Sequence, residues 1–131
     1  MIISCGEDGA FFIDYGGAST NNAEWRGAIF TNTAVHQGNF IGSKFGTRWI
    51  MFTMAYDGKS LKHFHNGNLY SAIPAAGTIR VSTDHYVLGQ RQPGGKGYEG
   101  CLGEVLIYNR ALSDEEVRHH FEATQARFPG E

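Results

Sequence analysis

His63 and His65 are the residues of this chain most ready to do chemistry, standing two apart in Ser60-Leu61-Lys62-His63-Phe64-His65. In a strand, residues two apart share a face, so both imidazoles point the same way. Such a pair can hold a metal ion or stack on a sugar; the plainer reading is two partly buried histidines with local hydrogen bonds. Asp84 and His85 are the candidates for a third ligand, but their spacing does not define a metal set. Trp25-Arg26 lies at the end of a polar stretch, Ala18 to Arg26. An aromatic plate beside polar side chains suits a pyranose, which has an apolar face and a rim of hydroxyls. A tryptophan tucked beneath the loop is the alternative. Arg91 and Gln92, ahead of Pro93, offer polar groups in a further loop. The candidate ligand-binding residues are therefore Trp25, Arg26, His63, His65 and Arg91. Trp25, His63 and His65 are expected to be more exposed than Trp49, which sits in an apolar run.

Catalytic patterns are missing. Glycoside hydrolysis needs two carboxylates flanking the scissile bond. Glu7-Asp8 and Asp114-Glu115-Glu116 are adjacent residues, not alternating ones that share a strand face. No Gly-x-Ser-x-Gly elbow occurs. Gly94-Gly95-Lys96-Gly97 lacks the Ser or Thr that follows a phosphate-loop lysine, and reads as a hairpin loop. No catalytic residue is assigned, and neither enzymatic activity nor a cofactor is expected. Cys5 and Cys101 form no Cys-x-x-Cys pair, which excludes a zinc ribbon. A disulfide between them would close nearly the whole chain and add about 4–5 kcal/mol on the entropic model. Free thiols are the leading reading, with the disulfide left open.

The elements that must position these groups are mostly short strands. The 131 residues suit one domain, and a net charge of −2 gives no basic face for nucleic acid. With 18 glycines and 17 aromatics (9 Phe, 2 Trp, 6 Tyr), the chain has many turns between strands. Apolar runs fall far short of the ~20 residues of a membrane helix, and the first residues carry no signal-peptide pattern. Strands are expected at Ala10–Tyr15, Gly27–Asn32, Arg48–Tyr56, Ser60–His65, Asn68–Ser71, Tyr86–Gly89 and Tyr98–Tyr108. Trp49–Tyr56 is apolar on both faces, which predicts a central strand covered on each side. Asp57-Gly58 and Asn66-Gly67 predict tight hairpins. Ser113-Asp114-Glu115-Glu116 is a capping box, with Leu112 and Val117 placed as a hydrophobic staple, so one helix closes the chain. Val117, Phe121, Thr124 and Phe128 then share its apolar face. Glu104 and Arg110 are expected to pair. The architecture predicted is an all-β antiparallel sandwich with one short C-terminal helix.

From Trp49 onward the chain resembles a known family. Trp49-Ile50-Met51-Phe52-Thr53-Met54-Ala55-Tyr56-Asp57-Gly58 is similar to the W-x-x-V-x-x-x-Y-D-G stretch of laminin-G-like jelly-roll modules. These modules belong to the concanavalin A-like lectin and glucanase superfamily. Leu61-Lys62-His63-Phe64-His65-Asn66-Gly67 resembles their L-K-L-Y-V-N-G, with histidines at two aliphatic positions, and Val87-Leu88-Gly89 resembles their L-x-I-G strand. Tyr98 to Ser113 resembles the end motif F-x-G-x-I-x-E-V-x-I-Y-N-R-A-L-S, the most specific piece. The similarity is good over residues 49–128 and loose before them, and the closing helix resembles modules at the C-termini of phage structural proteins. The resemblance implies a single jelly-roll domain over residues 1–131, short of roughly two N-terminal strands. It implies a lectin-like recognition module for a glycan or protein surface, or else a structural and assembly component of a virion or larger protein. It further implies an extracellular or virion location and homo-oligomerisation through exposed β-edges, while charge and apolar-run length lead us to expect no nucleic acid or membrane partner. Family members often bind calcium through loop carboxylates. Calcium is not carried over here, because a strand supplying those groups is missing and Asp57 is explained by its turn.

Overall fold

The structure, a computed structural model, describes residues 1–5, 9–15, 24–41, 48–90 and 97–129. Short β-branched and aromatic runs between turns form strands β1 (Ile3–Cys5), β2 (Phe11–Tyr15), β3 (Glu24–Phe30) and β4 (Val35–Ile41). They continue as β5 (Phe52–Tyr56), β6 (Ser60–His65), β7 (Asn68–Pro74) and β8 (Tyr86–Leu88), followed by helix α1 (Asp114–Thr124) and a 3₁₀ turn, Gln125–Arg127. One sheet has the order β4-β3-β2-β1-β8 and the other β5-β6-β7. Every pairing is antiparallel. Two such sheets with one terminal helix make a β-sandwich of jelly-roll type.

Registers show how alternation fills the space between the sheets. Tyr15 faces Trp25, Ile13 faces Gly27 and Phe11 faces Ile29 across β2 and β3. Phe11, Ile13, Tyr15, Trp25 and Ile29 line the sandwich interior, and Gly27 lies under the His63 ring. From the other sheet, Phe52 and Met54 of β5 lie opposite His65 and His63 of β6. Intervening residues of β5 and β6 turn outward, where Ala55 and Phe64 pack with Val117 of α1. The helix thus covers the outer face of the small sheet.

Local chemistry explains the turns and the helix start. Asn66 (φ 48°) and Gly67 (φ 80°) take the left-handed conformations of a type I′ hairpin between β6 and β7. A side chain at Gly67 would stand 2.9 Å from Phe121 Cβ, so only glycine lets the helix lie on this turn. The Asp57-Gly58 turn is built differently: Asp57 Oδ1 accepts from the Lys59 and Ser60 amides at 2.8 and 2.7 Å. Ser113 caps α1, accepting from Glu116 N at 3.1 Å, while Glu116 Oε2 accepts from Ser113 N at 2.8 Å. Leu112 packs against Val117 and its neighbours as the staple requires.

Four expectations are corrected. Trp25 and Arg26 lie in β3, not in a loop, because β3 starts at Glu24 and pairs along its whole length with β4. That strand, Val35–Ile41, was not expected: polar and glycine residues at its centre hide its alternation. The Arg48–Tyr56 run is shorter and less buried than predicted. Only Phe52–Tyr56 is strand, it pairs with β6 alone among the described residues, and most of it is half-buried. Tyr98–Tyr108 forms no strand, having no described strand beside it to pair with.

Candidate functional site

The small sheet is narrower than the large one, so the sandwich interior opens into a cleft of about 810 Å³. Its roof is the inner face of β1, β2 and β3, with Phe11, Ile13, Tyr15 and Trp25. The chain from Arg48 to Tyr56 forms one wall, and the segment Cys101–Arg110 lines the cleft as well. Helix α1 and the residues after it border the outer side through Phe121, Thr124 and Phe128. Glu104 is the one carboxylate among the described lining residues. It is engaged, accepting from Arg127 at 3.1 Å with His120 Nε2 at 3.5 Å.

Trp25 is built into the roof. It is 8 % exposed, stacks on Phe52 at 5.5 Å and tilts against Tyr15 at 5.0 Å. Arg26, next along β3, points to the opposite face and pairs with Asp14. The Asp14 carboxyl is pushed up by burial, but the Arg26 guanidinium and the chain's amino group outweigh this and hold it below the usual range.

His63 is a wedge between the sheets. Its ring enters a notch formed by Gly27 and Gly38, which face each other across β3 and β4. Nε2 stands 3.2 Å from the Gly27 carbonyl oxygen and Nδ1 3.3 Å from the Ser71 hydroxyl. A carbonyl only accepts, so Nε2 carries the proton and Nδ1 accepts from Ser71. Burial holds the imidazole below its ordinary pKa, opposed by the bond to Gly27. This is a neutral, structural histidine, completely buried. His65 shares the inner face and is half-buried. No three His, Cys, Asp or Glu side chains converge on a cation position among the described residues.

The expected order of exposure is therefore reversed: Trp49, at 36 %, exceeds Trp25, His63 and His65. Strand alternation turns Trp25 and His63 into the core, whereas Trp49 precedes β5 and reaches the mouth of the cleft. Its indole lies 5.2 Å from the Phe128 ring, over which Arg127 sits at 5.3 Å. Phe128 in turn packs on Gly103, where a side chain would approach its ring to 2.3 Å. Trp49, Phe128, Arg127, Glu104 and His120 thus form an aromatic and polar cluster that sequence reasoning missed. The signal was present only as Trp49 at the edge of its apolar run and Phe128 at the end of the helix face.

Glu104 and Arg110 do not pair. Arg110 grips Glu116 with both guanidinium nitrogens, at 2.9 and 2.7 Å, which also braces the helix cap. Cys5 and Cys101 are free thiols, the first buried and the second exposed. Arg91, Gln92, the Gly94–Lys96 stretch, Glu7-Asp8 and most of the Ala18–Arg26 loop lie outside the described residues.

A two-sheet antiparallel sandwich with an aromatic-lined cleft is the build of a lectin-like binding module. The chain belongs to the laminin-G-like family of the concanavalin A-like lectin and glucanase superfamily, whose model matches residues 1–118. The match reaches the first residues as well as the end motif. No curated protein and no solved structure matches the chain.

Proposed function

We propose that this protein is a non-enzymatic, lectin-like recognition module that holds a glycan at the mouth of its cleft, on the face of Trp49. The observation that carries this reading is the exposed indole beside Phe128, flanked by the Arg127–Glu104 pair. An aromatic plate meets the apolar face of a pyranose while charged groups meet its hydroxyls. Family membership supports a binding role. Hydrolysis is disfavoured because a glycosidase needs two carboxylates across the bond, and the described cleft lining offers Glu104 alone. Binding of this kind needs no cofactor.

A glycan array tests the proposal. Binding should be confined to a defined glycan class and be lost in Trp49→Ala, with the fold intact by circular dichroism. A flat array, or a signal that Trp49→Ala leaves unchanged, overturns it. A second reading, a structural or assembly component of a virion or larger protein, is favoured by the exposed apolar segment Leu102–Tyr108. Stable co-assembly with another chain in the absence of any glycan signal would select that reading.

A further inference from the structure

We propose that the cleft is an acceptor for an extended β-strand supplied by another polypeptide, lying between β5 and the Leu102–Tyr108 segment and hydrogen-bonding to both. The inference goes beyond the glycan reading and does not depend on it.

Both segments carry backbone in need of partners. β5 pairs with β6 along one edge, so alternate N–H and C=O groups from Thr53 to Tyr56 point away from β6. No described strand meets them. Along the same cleft, the backbone from Leu102 to Tyr108 makes no hydrogen bond among the described residues. Yet the segment is rich in β-formers: Leu102, Val105, Leu106, Ile107 and Tyr108, each 40–50 % exposed. Two lines of backbone that border one cleft and meet no partner among the described residues define a strand position.

The chemistry of the cleft selects a peptide. A lipid chain would match the apolar walls but leave the backbone groups dry and unpaired. A sugar filling the cleft would bury hydroxyls against Phe11, Ile13 and Ile107. An extended peptide satisfies both demands, because its backbone serves the two edges while its side chains meet the roof on one face and Phe121 and Thr124 on the other. A strand of five residues is about 17 Å long, matching Phe52–Tyr56. The chain's own first strand is not free for this, since β1 is held between β2 and β8. Nor can two copies exchange their Leu102–Tyr108 segments. The two-fold axis of an antiparallel pair stands perpendicular to the sheet, so both large sheets would compete for the same side.

The probe is a capped seven-residue peptide of alternating valine and threonine, with a control whose backbone amides are all N-methylated. Hydrogen exchange is followed by mass spectrometry at a concentration where the chain is monomeric. The unmodified peptide should bind saturably and slow exchange about tenfold at residues 53–56 and 102–108. The N-methylated peptide, which keeps the side chains and loses the donors, should slow neither. Val105→Pro should lose peptide binding while keeping its thermal midpoint, since the segment pairs with no described strand. Should Val105→Pro fail to fold, the comparison of the two peptides on the wild-type chain decides. Absence of protection by the unmodified peptide, equal binding of the methylated one, or protection of both segments in the peptide-free monomer each overturns the proposal.

Discussion

At the scale of single residues, the wedge of His63 into the glycine notch is the most demanding contact. An alanine at Gly38 would put its Cβ 2.2 Å from the His63 ring, and one at Gly27 would stand 2.7 Å from it. Overpacking of this kind costs about 1–3 kcal/mol, so Gly38→Ala should lower the denaturation midpoint clearly, whereas Gly58→Ala meets open space and should suffer only from its positive φ. The same burial has a pH signature. The folded chain keeps His63 neutral, with its pKa below the ordinary 6.5. Its contribution is complete above that pH and declines as pH falls, because the unfolded chain then takes up a proton that the fold excludes. Thermal midpoints between pH 7 and 5 should fall for wild type and be flatter for His63→Gln. Glu116, drawn down to about 2 by Arg110 and the helix cap, acts in a lower window. Its stabilisation is present above the ordinary carboxylate range and is lost as pH drops towards 2. Sequence spacing correctly placed His63 and His65 on one face. It could not say which face, because that depends on β4 and its Gly38, and β4 has no clear alternation.

At the scale of elements, the terminal helix was the most legible because its signals are local. A capping box, a staple and a 3.6-residue apolar stripe need no knowledge of the rest of the chain. Ser113→Ala should cost about 1 kcal/mol, read as a shift in urea midpoint, and Arg110→Ala should add to it by releasing Glu116. Phe64 joins helix to sheet, packed against Val117 and fully buried. Phe64→Ala should cost about 3–5 kcal/mol and strip amide protection from α1 as well as β6. The Ser60–His65 strand and the Asn66-Gly67 turn were equally legible, for turn chemistry sets their register. The Tyr98–Tyr108 segment was not: its composition favours a strand, but strand formation requires a neighbour, and no described strand lies beside it.

At the scale of the whole molecule, a five-stranded sheet faces a three-stranded one, and among the described residues part of its apolar face has no strand over it. Unguarded edges of this sort pair with whatever strand is available. The outer strands β4 and β7 are such edges among the described residues, and the purified chain should self-associate through them at tens of micromolar, as seen by sedimentation, whether or not the valine–threonine peptide is present. A strictly monomeric chain at such concentrations would contradict this expectation. Short strands, turn signals and the terminal helix made the sandwich legible, but the cleft and its rim were not, since both arise where distant segments of the described chain fail to meet.

The unequal exposure of the two cysteines lets the cleft be watched. Cys5 is sealed in the large sheet, while Cys101 stands exposed on the wall of the cleft. The wild-type chain thus carries one accessible thiol, at the position where occupancy changes the surroundings. A maleimide fluorophore should label Cys101 alone in the folded state, and denaturation should double the labelling stoichiometry. Emission from that dye then becomes an optical gauge of cleft occupancy, read in real time and without a single engineered residue.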